Sequence, residues 1–352
     1  MFTPSPLPRT LEASFRDLGS TRWATRVSSV RDVVRHALRS DAARARALPL
    51  LERLVREDRS SSVRSEAALA LADLRASEAL PTLLLAVEDD DEHVRQMAIT
   101  ALGEIGDPRA GARLGRALGD PRPEVRYQAV IAFARVVADH GDVRDALALA
   151  MSDADFAIRY IALRVAEERL ADAGVDPELA PGADGLPSEM ATAAVAALGD
   201  PRLVARAKEL TGSDDAAVAV AAGLYLARLG HPAGVATVLS VVSGARKTPE
   251  FEDERACVER AGELGLREAI PDLERLAWGA RSWVRTVLSF GSGDAANCAW
   301  FARTALARMG HPRACAEILA DLESSSRGKR AAALIAAGQA KLRGPSDSPK
   351  ES

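Results

Sequence analysis

The sequence is poor in aromatic residues and cysteine, and has no long apolar run; each shortage removes a class of protein. Phe, Trp and Tyr together make up 4% of the 352 residues, too few for β-sheets, which favour aromatic and β-branched side chains. The three cysteines, Cys257, Cys298 and Cys315, give neither a disulfide framework nor a metal-ligand spacing. A reducing cytoplasm is the simplest expected setting. No apolar stretch approaches the ~20 residues that span a bilayer, and Met1–Arg9 is rich in proline without the apolar segment of a signal peptide. Membrane insertion and secretion are not expected. Neither sign of charge is in strong excess, with 46 Lys and Arg against 50 Asp and Glu, and the net charge of −4 argues against wholesale nucleic-acid binding. The basic charge is mostly Arg, which reads as genomic base composition before function.

Chemistry-bearing constellations are also absent. The five histidines, His36, His93, His140, His231 and His311, are scattered, and Glu92-His93 occurs once where a metal site would need several such pairs. No phosphate-binding loop occurs, because Ser289-Phe290-Gly291-Ser292-Gly293 lacks the lysine. The expectation is therefore no catalytic residue, no metal site and no cofactor.

What is present is Ala, Leu and a period. Apolar residues are 47% of the chain, ample for a core. Val63, Val94, Val125 and Ile158 lie 31, 31 and 33 residues apart, and a small residue follows each by four: Ala67, Ala98, Ala129 and Ala162. The pattern continues more faintly at Val218, Asp253 and Cys298. A spacing of four puts each pair on one helix face, where small side chains let a neighbouring helix come close. Turns recur twelve residues after an anchor, as Gly106-Asp107-Pro108, Gly230-His231-Pro232 and Gly310-His311-Pro312. Glycine ends a helix in the left-handed conformation, and proline suits the first turn of the next. Asp58, Asp89, Asp120 and Asp153 stand five residues before an anchor, and Arg64, Arg95, Arg126 and Arg159 one residue after it.

The stretch from Val94 to Ala110, VRQMAITALGEIGDPRA, resembles the HEAT-repeat family, especially the short bacterial HEAT-like repeats named after phycobiliprotein lyases. The resemblance covers about 60–165, and more faintly 187–240 and 253–322. It implies an all-α fold, an α-α superhelix of about nine helix pairs, in which the Asp and Arg residues form a structural ladder between adjacent repeats. With helix axes roughly 8–10 Å apart, such an array would be a curved rod on the order of 80–90 Å long.

The expected organisation is a disordered N-terminus over 1–9, then a cap and regular repeats over 10–170. A Gly/Pro-rich loop over 171–187 follows, then a divergent repeat block over 188–342 and a disordered tail over 343–352. The divergent block carries Ala219, Glu254 and Ala299 where the ladder arginine would stand, so its repeats must join differently.

Two regions stand out as candidate partner-binding surfaces. The first sixty residues hold 12 Arg against 7 acidic residues, with Arg22, Arg26, Arg31 and Arg35 along the first long helix. Either these arginines pair with carboxylates such as Asp17 and Asp32 in a solvated cap, or they dock an acidic partner. The second region holds Trp283, Arg285 and Phe290, in a segment where the anchors Asp253 and Cys298 are 45 residues apart, and Trp300 and Phe301 just after it. Trp and Arg dominate interface hot spots; larger side chains filling gaps beside a longer helix are the plainer reading. The expected function is a cytoplasmic scaffold or adaptor binding a protein or peptide partner. A bilin-lyase-like enzyme or lyase subunit is the alternative that the resemblance implies, and a nucleic-acid-binding protein on the same scaffold comes third.

Overall fold

The computed structural model describes residues 9–173, 189–249, 251–279 and 294–342. Among these there are nineteen α-helices, three short 3-10 turns and no strand. The chain divides into two units between Val165 and Ala166, inside α10. The sequence-expected tail over 343–352, all but the first three residues of the expected loop over 171–187, and Trp283, Arg285 and Phe290 lie outside the described residues.

Unit 1 begins with α1 Leu11–Asp17, α2 Trp23–Ala37, α3 Asp41–Glu57, α4 Ser61–Asp73 and α5 Leu80–Ala86. It continues with α6 Glu92–Ile105, α7 Gly111–Ala117, α8 Pro123–Val136, α9 His140–Ala150 and the start of α10 Phe156–Asp172. Helices α2, α4, α6 and α8 pack side by side in sequence, and α3, α5 and α7 pack behind them. The anchors Val63, Val94 and Val125 and their partners Ala67, Ala98 and Ala129 are fully buried, so the period of the sequence is the period of the core.

Helix α6 shows how the local sequence sets the element. Asp91 caps its start, its Oδ1 accepting the N–H groups of His93 (3.0 Å) and Val94 (3.2 Å). Val94, Ala98, Ala101 and Leu102 then form the buried face. Gly106, at φ 73°, stops the helix in the left-handed region, where a side chain would be strained. Gly103 permits the close approach of α8: a Cβ there would sit 2.9 Å from the Ala132 Cβ.

Unit 2 holds the rest of α10, then α11 Glu189–Leu198, α12 Pro201–Leu210, α13 Ala216–Arg228 and α14 Pro232–Val242. After these come α15 Phe251–Glu263, α16 Ile270–Trp278, α17 Asp294–Arg308, α18 Pro312–Leu322 and α19 Arg327–Gln339. Helix α13 packs on α15, α15 on α17 and α17 on α19. Cys257 occupies the small-residue slot of α15 and is fully buried, and Gly262 brings α15 within reach of Ala305 on α17. No helix among the described residues is long and apolar enough to cross a membrane.

Candidate binding sites

Between the front helices of unit 1 runs a row of guanidinium–carboxylate pairs. Arg64 Nη1 donates to the Asp58 backbone oxygen of its own repeat (3.0 Å), while Nε and Nη2 reach Asp89 of the next at 2.8 and 2.7 Å. Arg95 grips Asp120 (2.8 and 3.1 Å) and the Asp89 carbonyl in the same way. Arg126 does so with Asp153 (2.8 and 2.9 Å) and the Asp120 carbonyl. Each aspartate also accepts the N–H two residues on, as Asp89 does from Asp91 (3.0 Å). One planar fork thus joins two repeats and fixes the turn of each. Arg159 makes the carbonyl half of this pattern, donating to Asp153 and Ala154 at 2.8 Å.

The N-terminal arginines are largely engaged. Arg26 holds both oxygens of Asp58 at 2.7 Å and so forms a further rung of the row. Arg31 forks onto Glu66 at 2.6 and 2.9 Å. Arg35 donates to Asp32 at 2.5 Å, and Asp32 also accepts from Arg9 at 2.7 Å. Arg22, at the exposed start of α2, forms no ion pair among the described residues. The arginine stripe along α2 is therefore mostly satisfied within the protein. Beside it Trp23 is 55% exposed and lines an open groove with Arg53, Glu57 and Arg59.

The rung at Arg26 was legible only in part. It stands 38 residues before Arg64, because α3 has 17 residues where α5 and α7 have 7. A search at a constant period passes over it.

Of the aromatic candidates within the described residues, Trp300 and Phe301 are both half-buried. The Arg303 guanidinium lies 5.5 Å from the Trp300 ring centre and that of Arg255 5.2 Å from the Phe301 ring centre. Trp300 and Arg303 wall an open groove of about 450 Å³ with Glu317, Asp321 and Lys329. Next to it Trp278 donates its Nε1–H to Glu317 (3.0 Å), with Arg313 stacked 4.1 Å above its ring. Glu317 also accepts from Arg313 at 2.9 Å. Burial opposes ionisation of Glu317, but the bonds from Trp278 and Arg313 prevail and hold its carboxyl below the ordinary range.

Unit 2 has, in place of the ladder, a buried charge network on its front helices. Glu167 Oε1 accepts from Arg228 Nη2 (2.6 Å) and Arg260 Nη2 (2.5 Å). Glu263 lies 3.0 Å from Arg260 Nη1 and 3.5 Å from Arg308 Nη1. The Arg260 side chain is only 5% exposed. Burial, and then the like charge of Arg228 against the pull of Glu263, lowers its pKa. Sequence reading missed this network, although Arg228, Glu263 and Arg308 each stand ten residues after an anchor. Among the described residues no cluster of His, Cys, Asp and Glu could hold a metal ion.

These observations define a class: a helical-repeat protein with paired helices, buried small residues between them and charged pairs along one face. Residues 47–134 match the family model described as HEAT repeats, and that match includes the stretch from Val94 to Ala110. None of the curated proteins matches the chain in sequence. Among solved structures, the Escherichia coli protein YibA is 14% identical, with a TM-score of 0.53 over 86% of this chain and 93% of that one; it shares the fold. The complex of CpcE and CpcF of phycocyanin lyase from Nostoc is 17% identical, over 77% of this chain and 96% of that one, at a TM-score of 0.44. A designed armadillo repeat protein is 20% identical, over 62% of this chain and the whole of that one, at 0.41.

Proposed function

We propose that this chain is a protein-binding scaffold that holds a peptide segment of its partner in the groove at Trp300. The observation that carries the reading is the half-buried Trp300 ring with the Arg303 guanidinium 5.5 Å from its centre, at the wall of an open groove. Trp and Arg supply a disproportionate share of binding energy at protein interfaces, because each buries much area while keeping a polar handle. The groove also offers both signs of charge, Lys329 against Asp321 and Glu317. That suits an extended segment with mixed charges. The ladder side chains of unit 1, by contrast, have their donors committed to neighbouring repeats. Trp283, Arg285 and Phe290, which lie outside the described residues, stay candidates for partner contact on their residue types alone.

The test is a displayed peptide library selected on the wild-type protein and counter-selected on Trp300→Ala. Peptides should be enriched on the wild type and lose about 30-fold in affinity on the variant, the ~2 kcal/mol of an interface hot spot. Enriched peptides that bind both proteins equally would refute the groove.

A further inference from the structure

Helix α19, the last among the described residues, presents a face that the inner helices keep covered. Its cap Ser326 accepts the Lys329 N–H as Asp91 accepts that of Val94 on α6, so the two helices share a register. On α6, Arg95, Ile99 and Gly103 stand four residues apart, on the side turned to the next repeat. Arg95 grips Asp120, Ile99 is fully buried, and Gly103 lets Ala132 of α8 come close. On α19 the same places hold Arg330, Leu334 and Gly338. Arg330 Nη1 donates to the Ser324 carbonyl, six residues back, as Arg95 Nη1 does to that of Asp89. Arg330 thus makes the carbonyl half of a ladder rung, and it forms no ion pair among the described residues. Leu334 is 69% exposed, and a Cβ on Gly338 would meet nothing within 4 Å. We propose that this face docks a helical hairpin of another protein, with an aspartate in its turn for Arg330 and a small residue twelve positions later for Gly338.

The occupant follows from what the face offers. Helix α19 carries Arg327, Lys329 and Arg330 and no carboxylate, so an acidic turn complements it. A terminal element of a repeat array ordinarily turns a polar side outward, and exposed Leu334 and Ile335 depart from that. A second copy stacked head to tail does not fit. In its first repeat Ser20 stands where Asp120 stands, its carbonyl taking the bond from Arg26 that the Asp120 carbonyl takes from Arg126. Asp32, tied to Arg9 and Arg35, fills the place of Ala132. Two copies joined through α19 would meet with cations on both helices and a carboxylate on neither. Residues 343–352 have no Val, Leu, Ile, Met or aromatic side chain with which to cover Leu334. The face does not depend on the groove at Trp300 and stands whether or not that groove holds a peptide.

The probe is a fluorescein-labelled hairpin of residues 107–136 of this chain, which brings Asp120 and Ala132 in their native spacing, together with its Asp120→Asn form. Each is titrated by fluorescence anisotropy into the full-length wild type, Arg330→Gln and Leu334→Arg. Both substituted positions are exposed, so the helical circular dichroism of the variants should match that of the wild type. The native hairpin should bind the wild type saturably and about tenfold more tightly than the Asp120→Asn form, the effect of one charge-assisted pair. Arg330→Gln should bind the two forms alike, and Leu334→Arg should bind neither. Absence of saturable binding, equal affinity of the wild type for both forms, or a preference that survives Arg330→Gln would overturn the proposal. A dimer of the wild type alone that Leu334→Arg abolishes in sedimentation would overturn it in favour of a second copy. Binding to phosphatidylglycerol vesicles that Leu334→Arg abolishes would overturn it in favour of a lipid surface.

Discussion

Arg126 carries the joint between two repeats on one side chain. Its fork holds Asp153 while its remaining nitrogen binds the Asp120 carbonyl. Truncating it strands a carboxylate whose side chain is 12% exposed, and removing one partner of a charge-assisted pair costs about 2 kcal/mol. Arg126→Ala should therefore lower the thermal midpoint by several degrees, measured by circular dichroism. Removing the exposed Arg109, whose side chain is 72% exposed, should move it by less than about a degree, because surface pairs contribute little.

The same residues set a pH dependence. The Asp153 pKa is lowered chiefly by its bond from Arg126, against burial and with help from the Asp155 N–H. For Asp58 burial is the largest influence and raises the pKa, but the bonds from Arg26 and Ser60 prevail and lower it. Both folded values lie below the unfolded value of about 3.9. The stabilisation is therefore complete above that value and is lost as pH falls through it toward the folded pKa. Between about pH 5 and pH 2 the wild-type midpoint should fall more steeply than that of an Arg126→Ala/Asp153→Asn variant. Parallel curves would show that the rung makes no titratable contribution.

Among the elements, α6 and α8 depend on a glycine for their distance. A methyl group on Gly103 would meet the Ala132 side chain at 2.9 Å, and overpacking of this kind typically costs about 1–3 kcal/mol. Gly103→Ala should destabilise by that amount in urea unfolding with little change in slope. Loss of a similar size in Gly106→Ala would have a different origin, the strain of a side chain at φ 73°.

Helices α4, α6 and α8 were legible in the sequence because each repeats the same short grammar: an aspartate five residues before an apolar anchor, an arginine one after it and a small residue four after it. The anchors Val63, Val94 and Val125 are buried for the same reason that they recur. Helix α3 broke the period by its length and hid the rung at Arg26. The unit 2 network was hidden differently. Glu167 lies 61 residues from Arg228 and 93 from Arg260, so no local spacing announces it. The stripe along α2 could be seen in the sequence as charge, and so could the local pair of Arg35 with Asp32, three residues apart, but its satisfaction by Asp58 and Glu66 comes only from packing.

At the scale of the whole molecule, the two units each have their own apolar core and their own kind of charged seam. Unit 1 joins its front helices by repeated Arg–Asp forks; unit 2 gathers its charges into one buried network beside open grooves. In an array where each element touches mainly its neighbours, end helices open before central ones. Amide hydrogen exchange should therefore be slowest in α4, α6 and α8 and fastest in α1 and α19, where Leu334 and Ile335 are 69% and 65% exposed.

On the proposed function the labour is divided, unit 1 being built on its ladder and unit 2 holding a partner at Trp300. Calorimetric titration of one selected peptide against wild type, Trp300→Ala and Arg126→Ala tests it most directly. Binding should be about 30-fold weaker in Trp300→Ala, with a dissociation constant within about twofold of wild type in Arg126→Ala, below the factor that 1 kcal/mol produces. Unchanged binding in Trp300→Ala together with a large loss in Arg126→Ala would contradict it.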